Sequence, residues 1–366
     1  MGRLAKRHGL WATVLALWGA GCGAGDAVAP YTEPAPACRS VDEYLTDLYA
    51  VIDEGGVSAL ATTIRDRIPD ETRRDLVDAL LRLLSGFAEG RFTALAGDLD
   101  GLGEQGGLQK TLAVVVRYLA DGAGPEQSGP DLAFLAMLRR AVATCPGEPV
   151  FALFAELTRD EALVDALIAA LGSETLRELV SGLSLEGEGG REALQLLVRN
   201  LLVSASSPSF DLDGLLSLLS VLLGERAEEP PLSELVSGLR RVFSEPEALG
   251  ALQGTLVCLR QVDPELSLGG FLYDLVTSGL LAELGPGVVE IPRSALDLLT
   301  DALDFLSADA VSRRALKTTL VALLEAEVAP PVLGDIATLL EREALSGVFE
   351  LVSDVASKTC HVGGGR

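Results

Sequence analysis

From about Cys38 onward, apolar residues return every three or four positions, and this spacing admits little but α-helix. Between Arg73 and Leu84 the stripe is Leu76, Val77, Leu80, Leu81, Leu83 and Leu84, and Leu163 to Leu171 repeats the pattern. Leu and Ala dominate and β-branched alternation is scarce, so strands have no foothold. Start signals recur. Ser40 with Glu43, Thr158 with Glu161, and Ser244 with Glu247 each fit a capping box. Pro246 then falls in a first turn, where its missing N–H is harmless. Phe210-Asp211 ahead of Leu215 fits an N-cap with a hydrophobic staple. Pro69, Pro146, Pro208, Pro264, Pro286, Pro292 and Pro330-Pro331 punctuate the run. Segments of ordinary length between such breaks predict an all-α body of about 15–18 helices.

Ahead of this body, residues 1–21 read as a secretory signal. Arg3, Lys6 and Arg7 are basic, Gly9 to Trp18 is a short apolar stretch, and Gly19-Ala20-Gly21 is small. The apolar stretch is too short for a membrane span. Ala20, Gly21 and Cys22 together resemble the cleavage box of bacterial lipoproteins, with Gly19 where Leu is usual. The resemblance implies that Cys22 becomes the first mature residue and carries lipid on its sulfur. It also implies attachment in the envelope of a Gram-negative-type bacterium. Gly23, rather than an Asp at that place, implies an outer-membrane destination. Residues 22–37 form a Pro-, Ala- and Gly-rich tether with Pro30, Pro34 and Pro36. Residues 38–360 form the helical domain, and 361–366 a flexible tail.

Five cysteines occur, at Cys22, Cys38, Cys145, Cys258 and Cys360. A lipidated Cys22 leaves an even number in an exported chain, which favours two disulfides over free thiols. Weak repetition suggests how they pair. Glu-Leu-Val-Ser-Gly-Leu occurs at Glu178 to Leu183 and at Glu234 to Leu239, with related Ser-Gly pairs at Ser85-Gly86 and Ser346-Gly347. Asp98 precedes Cys145 by the same number of residues as Asp211 precedes Cys258. Three degenerate units are expected, 38–145, 146–258 and 259–360. Cys38–Cys145 and Cys258–Cys360 bonds would each close one of them. The Ser-Gly pairs would allow close helix contact or end helices at left-handed caps. The body resembles HEAT- or armadillo-type solenoids, which implies an array of antiparallel helix pairs offering an extended binding surface.

The charge balance excludes several partners. Lys plus Arg number 29 against 53 Asp plus Glu, a formal net charge of −24. The signal holds three of the basic residues and no acid, so the mature chain is more negative still. Such a surface repels phosphate backbones and anionic lipid heads, which excludes nucleic acid and favours a basic protein partner. Both tryptophans, Trp11 and Trp18, lie in the signal, which disfavours carbohydrate platforms.

Motifs for chemistry are few. No CxxC or CxxH is present, and His361 is the only histidine after the signal, so no metal site and no cofactor are expected. Asp98-x-Asp100-Gly101 and Asp211-x-Asp213-Gly214 have the opening of a calcium loop. Leu102 and Leu215 at the fifth place, and Gln109 and Leu222 at the twelfth, carry no carboxylate, so helix capping is the better reading. No nucleophile elbow, P-loop or dinucleotide fingerprint occurs, and no catalytic residue is expected. The mean hydropathy is high, +0.34, yet no apolar run after the signal reaches the length of a span. The expected function is a lipid-anchored binding or scaffolding protein without catalytic activity. A carrier of an apolar, lipid-like ligand is the alternative, and an enzyme using carboxylates alone is third.

Overall fold

The computed structural model describes residues 41–54, 57–86, 94–95, 107–121, 132–145, 147–171, 188–205, 207, 210–214, 216–217, 228, 230–277, 280 and 291–341. The chain divides into two units, Met1–Ala37 and Cys38–Arg366, and every described residue belongs to the second. The expected signal, tether and tail, with Cys22, Cys38, Asp98, Cys360 and His361, therefore lie outside the described residues.

Fourteen helices and no strand occur among the described residues. They are α1 (Val41–Glu54), α2 (Ser58–Arg67), α3 (Asp70–Gly86), α4 (Gly107–Asp121), α5 (Leu132–Thr144), α6 (Gly147–Arg159) and α7 (Glu161–Leu171). There follow α8 (Glu188–Ala205), α9 (Leu232–Val242), α10 (Pro246–Val262), α11 (Ser267–Thr277), α12 (Arg293–Ala308), α13 (Ala310–Leu323) and α14 (Ala329–Glu341). The all-α expectation holds, because the three-and-four apolar spacing is a local property that each segment carries by itself.

Helix starts differ in detail from the capping boxes. Thr158 caps nothing, since α6 runs on through Arg159 and the Thr158 hydroxyl donates to the Phe154 carbonyl at 2.9 Å. Asp160 takes the capping role, accepting from the Leu163 N–H at 2.9 Å. Ser244 likewise closes α9, donating to the Arg241 carbonyl at 2.6 Å, while Glu245 precedes α10 and Pro246 opens it. At α7 a carboxylate directly at the break wins over a hydroxyl still inside the preceding helix. Asp211 does cap, accepting from the Gly214 N–H at 3.0 Å.

Packing order is set by distant segments. In an open solenoid each repeat meets only its neighbours. Here α4 packs along α14, α6 along α12, α3 on α13 and α2 on α14. Helices from the segments 38–145, 146–258 and 259–360 thus also pack across one another. At the α2–α14 contact, Val57 and Ala61 are buried against Leu339. The Leu60 N–H donates to Asp335 Oδ2 at 2.8 Å, across 275 residues of sequence. An orphan donor in the first turn of α2 is thereby satisfied from the far end of the chain.

Among the described residues one apolar cluster joins Leu153 of α6, Leu163 of α7, Val242 and Phe243 at the end of α9, and Ala248 and Ala251 of α10. A second knot is aromatic. Phe134 of α5 stacks on Phe271 of α11 with ring centres 3.7 Å apart, and Tyr118 of α4 meets Phe271 edge-on at 6.2 Å. Small residues let the backbones approach. At Gly238, in the second Ser-Gly motif, an added Cβ would lie 3.2 Å from the Leu163 Cα. Close contact, not a helix end, explains that Ser-Gly pair.

Gly269 is the tightest such position. A Cβ there would sit 2.8 Å from the Gln195 Cα and 3.2 Å from its N, both backbone atoms of α8. Backbone cannot rotate away as a side chain can, so α8 and α11 would be pushed apart. Gly269→Ala should lower stability by about 1–3 kcal/mol, despite the better helix propensity of Ala. Gly250→Ala, with nothing within 4 Å, should raise it by up to about 1 kcal/mol. Urea unfolding of the two variants checks this, and equal stabilisation by both would contradict the close approach.

Candidate functional site

Cysteine and charge are the two features of this body with functional content. Cys145 follows α5, its N–H donating to the Ala141 carbonyl at 2.8 Å. Cys258 sits within α10, one helical turn before Val262. The two are bonded as a disulfide with Cα atoms 5.8 Å apart, inside the span such a bond covers. Both are buried, with Val262 against them and Ala141 alongside. Arg140 Nε donates to the Val262 carbonyl at 2.8 Å and pins α5 to the end of α10.

This pairing overturns the expected Cys38–Cys145 and Cys258–Cys360 bonds. Those rested on units that close on themselves. Since α5 lies against α10, the cysteines of neighbouring units face each other instead. No residue spacing could show this, because it depends on which helices become neighbours in space.

Arginine dominates the basic residues, with lysine only at Lys6, Lys110, Lys317 and Lys358. The structure explains what many arginines do. Arg241 of α9 holds both Asp160 oxygens, at 2.6 and 2.7 Å. Arg159 reaches both oxygens of Asp304 on α12, at 2.9 and 2.8 Å. Arg82 of α3 bridges to Asp309 at 2.7 Å, and Arg117 of α4 to Glu341 of α14 at 2.7 Å. Glu325, after α13, is shared by Arg67 of α2 and Arg139 of α5. Arg191 of α8 pairs with Asp274 of α11 at 3.0 Å. Planar guanidinium forks suit such two-oxygen contacts between helices in a way an ammonium does not.

Two acids combine capping with pairing. Hydrogen bonding from Arg241, then from the Leu163 and Ala162 N–H groups, holds the Asp160 carboxyl below the usual carboxylate range. Ser312 does the same for Asp309, with the Val311 N–H and Arg82 adding to it. The hydrogen bond to Glu156 raises Arg159, and that to Asp160 raises Arg241. These were not legible as a set. The capping pattern pointed to Thr158 rather than Asp160 and did not single out Asp309, and the arginine partner of each comes from another helix.

Aromatic residues are also drawn into packing. Tyr44 and Tyr118 are buried. The guanidinium of Arg65 lies 5.0 Å from the Tyr49 ring centre, and that of Arg191 lies 5.8 Å from Tyr273. No group of three or more His, Cys, Asp or Glu side chains that could hold a metal ion occurs among the described residues. Comparison of the chain with protein-family models, with curated proteins and with solved structures found no match.

Proposed function

We propose that this protein is an exported, lipid-anchored binding or scaffolding protein of the cell envelope whose acidic helical body docks a basic protein partner. The observation that carries the reading is the use of its charges. Arginines from many helices are committed to acids of the same chain, while the chain as a whole keeps a net charge of −24. The cations therefore brace the fold and the excess anions are left to solvent, where they attract cationic partners over a distance.

The Cys145–Cys258 bond supports the exported half of the reading, because such bonds persist in oxidising compartments and are rare where thiols are kept reduced. Among the described residues no helix is long and apolar enough to cross a membrane. In this reading Cys22 supplies the attachment and residues 23–37 the spacing. Outer-membrane placement follows from Gly23, and the absence of catalysis from the motif content of the sequence.

A second reading, a carrier for an apolar ligand, is favoured by large apolar side chains left open to solvent. Leu196 on α8 is 56% exposed and Phe154 on α6 is 50% exposed. Salt separates the two. For a partner recovered from detergent-solubilised membranes, association should slow tenfold or more, roughly, between low and physiological ionic strength, while dissociation changes far less. A flat response would exclude the acidic docking surface. Co-purifying lipid whose retention is insensitive to salt, or strengthened by it, would support the carrier instead.

A further inference from the structure

Helix α8 is apolar on both of its sides. One side packs on α10 and α11, where Val198 and Leu202 are buried and Arg191 pairs with Asp274 at 3.0 Å. The opposite side carries Ala193, Leu196, Leu197, Asn200 and Val203, all exposed. Leu196 is 56% exposed, Val203 47% and Leu197 44%. A helix that is apolar all round is ordinarily covered all round. We infer that a second copy of this chain covers the outer side of α8, as an antiparallel pair of α8 helices about a twofold axis.

Charge selects this occupant. α8 holds two acids and two arginines, so the helix is neutral on a chain of net charge −24. A basic partner finds no excess of anions here. Two copies meet here with little local repulsion, and charges farther off than about 8 Å are screened at physiological ionic strength. A convex face on a single helix cannot enclose a small apolar ligand, which needs a hollow. It can interdigitate with another helix. Glu192 and Arg199 flank the stripe, are both exposed, and hold no ion pair among the described residues.

Those two charges fix the direction of the pair. Glu192 and Arg199 lie about two turns apart on one edge of the stripe, with Ala193 and Leu197 on the other edge. In an antiparallel pair related by a twofold axis, like edges meet and run in opposite directions. Glu192 of each copy then faces Arg199 of the other, which gives two ion pairs at once. The axis passes beside Leu196, which meets its own counterpart, and Leu197 meets Ala193 of the other copy. A parallel pair brings unlike edges together and sets Glu192 and Arg199 against Ala193 and Leu197 instead. One helix pair buries less than the roughly 800 Å² per partner of a standard interface, so the dimer is weak and concentration-dependent. The pairing rests on neither the lipid anchor nor the basic partner.

Sedimentation of the full-length protein in density-matched detergent, over a concentration series, tests the pair. The unaltered chain should show a monomer–dimer equilibrium. Glu192→Arg and Arg199→Glu should each weaken it about tenfold or more, because both ion pairs become like-charge contacts. The two single variants, mixed in equal amounts, should associate as the unaltered chain does. The double variant should do so too, since its charges are exchanged and opposite signs again face each other. Leu196→Asp should remove the dimer and leave the thermal midpoint of the dilute protein unchanged, because that side chain is open to solvent in one copy. A chain that stays monomeric up to roughly 1 mM overturns the inference, whatever lipid or segment covers the stripe. A dimer that ignores the charge reversals, or a double variant no stronger than the single ones, also overturns it, since the copies then meet elsewhere or in another register. Each of these results leaves the anchoring and basic-partner readings standing.

Discussion

Replacing Cys145 and Cys258 together by alanine should cost up to about 4.7 kcal/mol of unfolding free energy. The bond joins positions 113 residues apart. A cross-link over a loop of that length removes much of the freedom of the unfolded chain, and the folded chain loses little in return. Domain stability is commonly about 5–15 kcal/mol in total, so the loss is a large share. Alanine is the better replacement, because serine would place two hydroxyls in a buried site beside Val262 and Ala141, where unpaired polar groups are penalised. Denaturant unfolding of the oxidised protein, the reduced protein and the double variant checks the expectation. The last two should unfold at similarly lowered midpoints, since both lack the bond. Cys258→Ala alone should free the Cys145 thiol. If Cys145 stays unreactive in that variant when it is alkylated unfolded and without reductant, it is bonded elsewhere and the pairing described here is wrong.

Cys22→Ser should release the protein from membranes or leave it unprocessed with its signal attached. A hydroxyl offers no thioether for the lipid, and the net charge of −24 gives the body no attraction to anionic lipid heads. A single acyl chain binds only marginally and several hold firmly, so loss of lipidation is expected to be close to all-or-none. Fractionation of cells expressing the variant, with the N-terminus sequenced, provides the check. A cleaved Ser variant that stays with the membrane would contradict the lipid-anchored proposal, whatever the body binds.

Helix content and helix ends were legible to different degrees. The stripes at Leu76 to Leu84 and Leu163 to Leu171 both became helices, α3 and α7, because amphipathic spacing is written within each segment. The ends were less legible. Thr158 and Ser244 matched a capping pattern by type, yet Asp160 caps α7 and Pro246 opens α10. Asp160 is held in that role by Arg241, which lies 81 residues further on. A pattern four residues long carries no trace of such a partner.

The amino-acid sequence alone determined that this chain is helical, acidic and arginine-rich, because spacing, charge and residue type are properties of short segments and of totals. It also supplied the cysteines, but not their bonds. Only the tertiary structure decided that α4 and α14, or α6 and α12, lie side by side, that Asp335 serves the first turn of α2, and that Cys145 meets Cys258 rather than Cys38. Leu- and Ala-rich helices present similar apolar faces, so many pairings bury comparable area. The choice among them falls to small residues that admit a close backbone, such as Gly238 and Gly269, and to arginines that reach a carboxylate on one neighbour and not another.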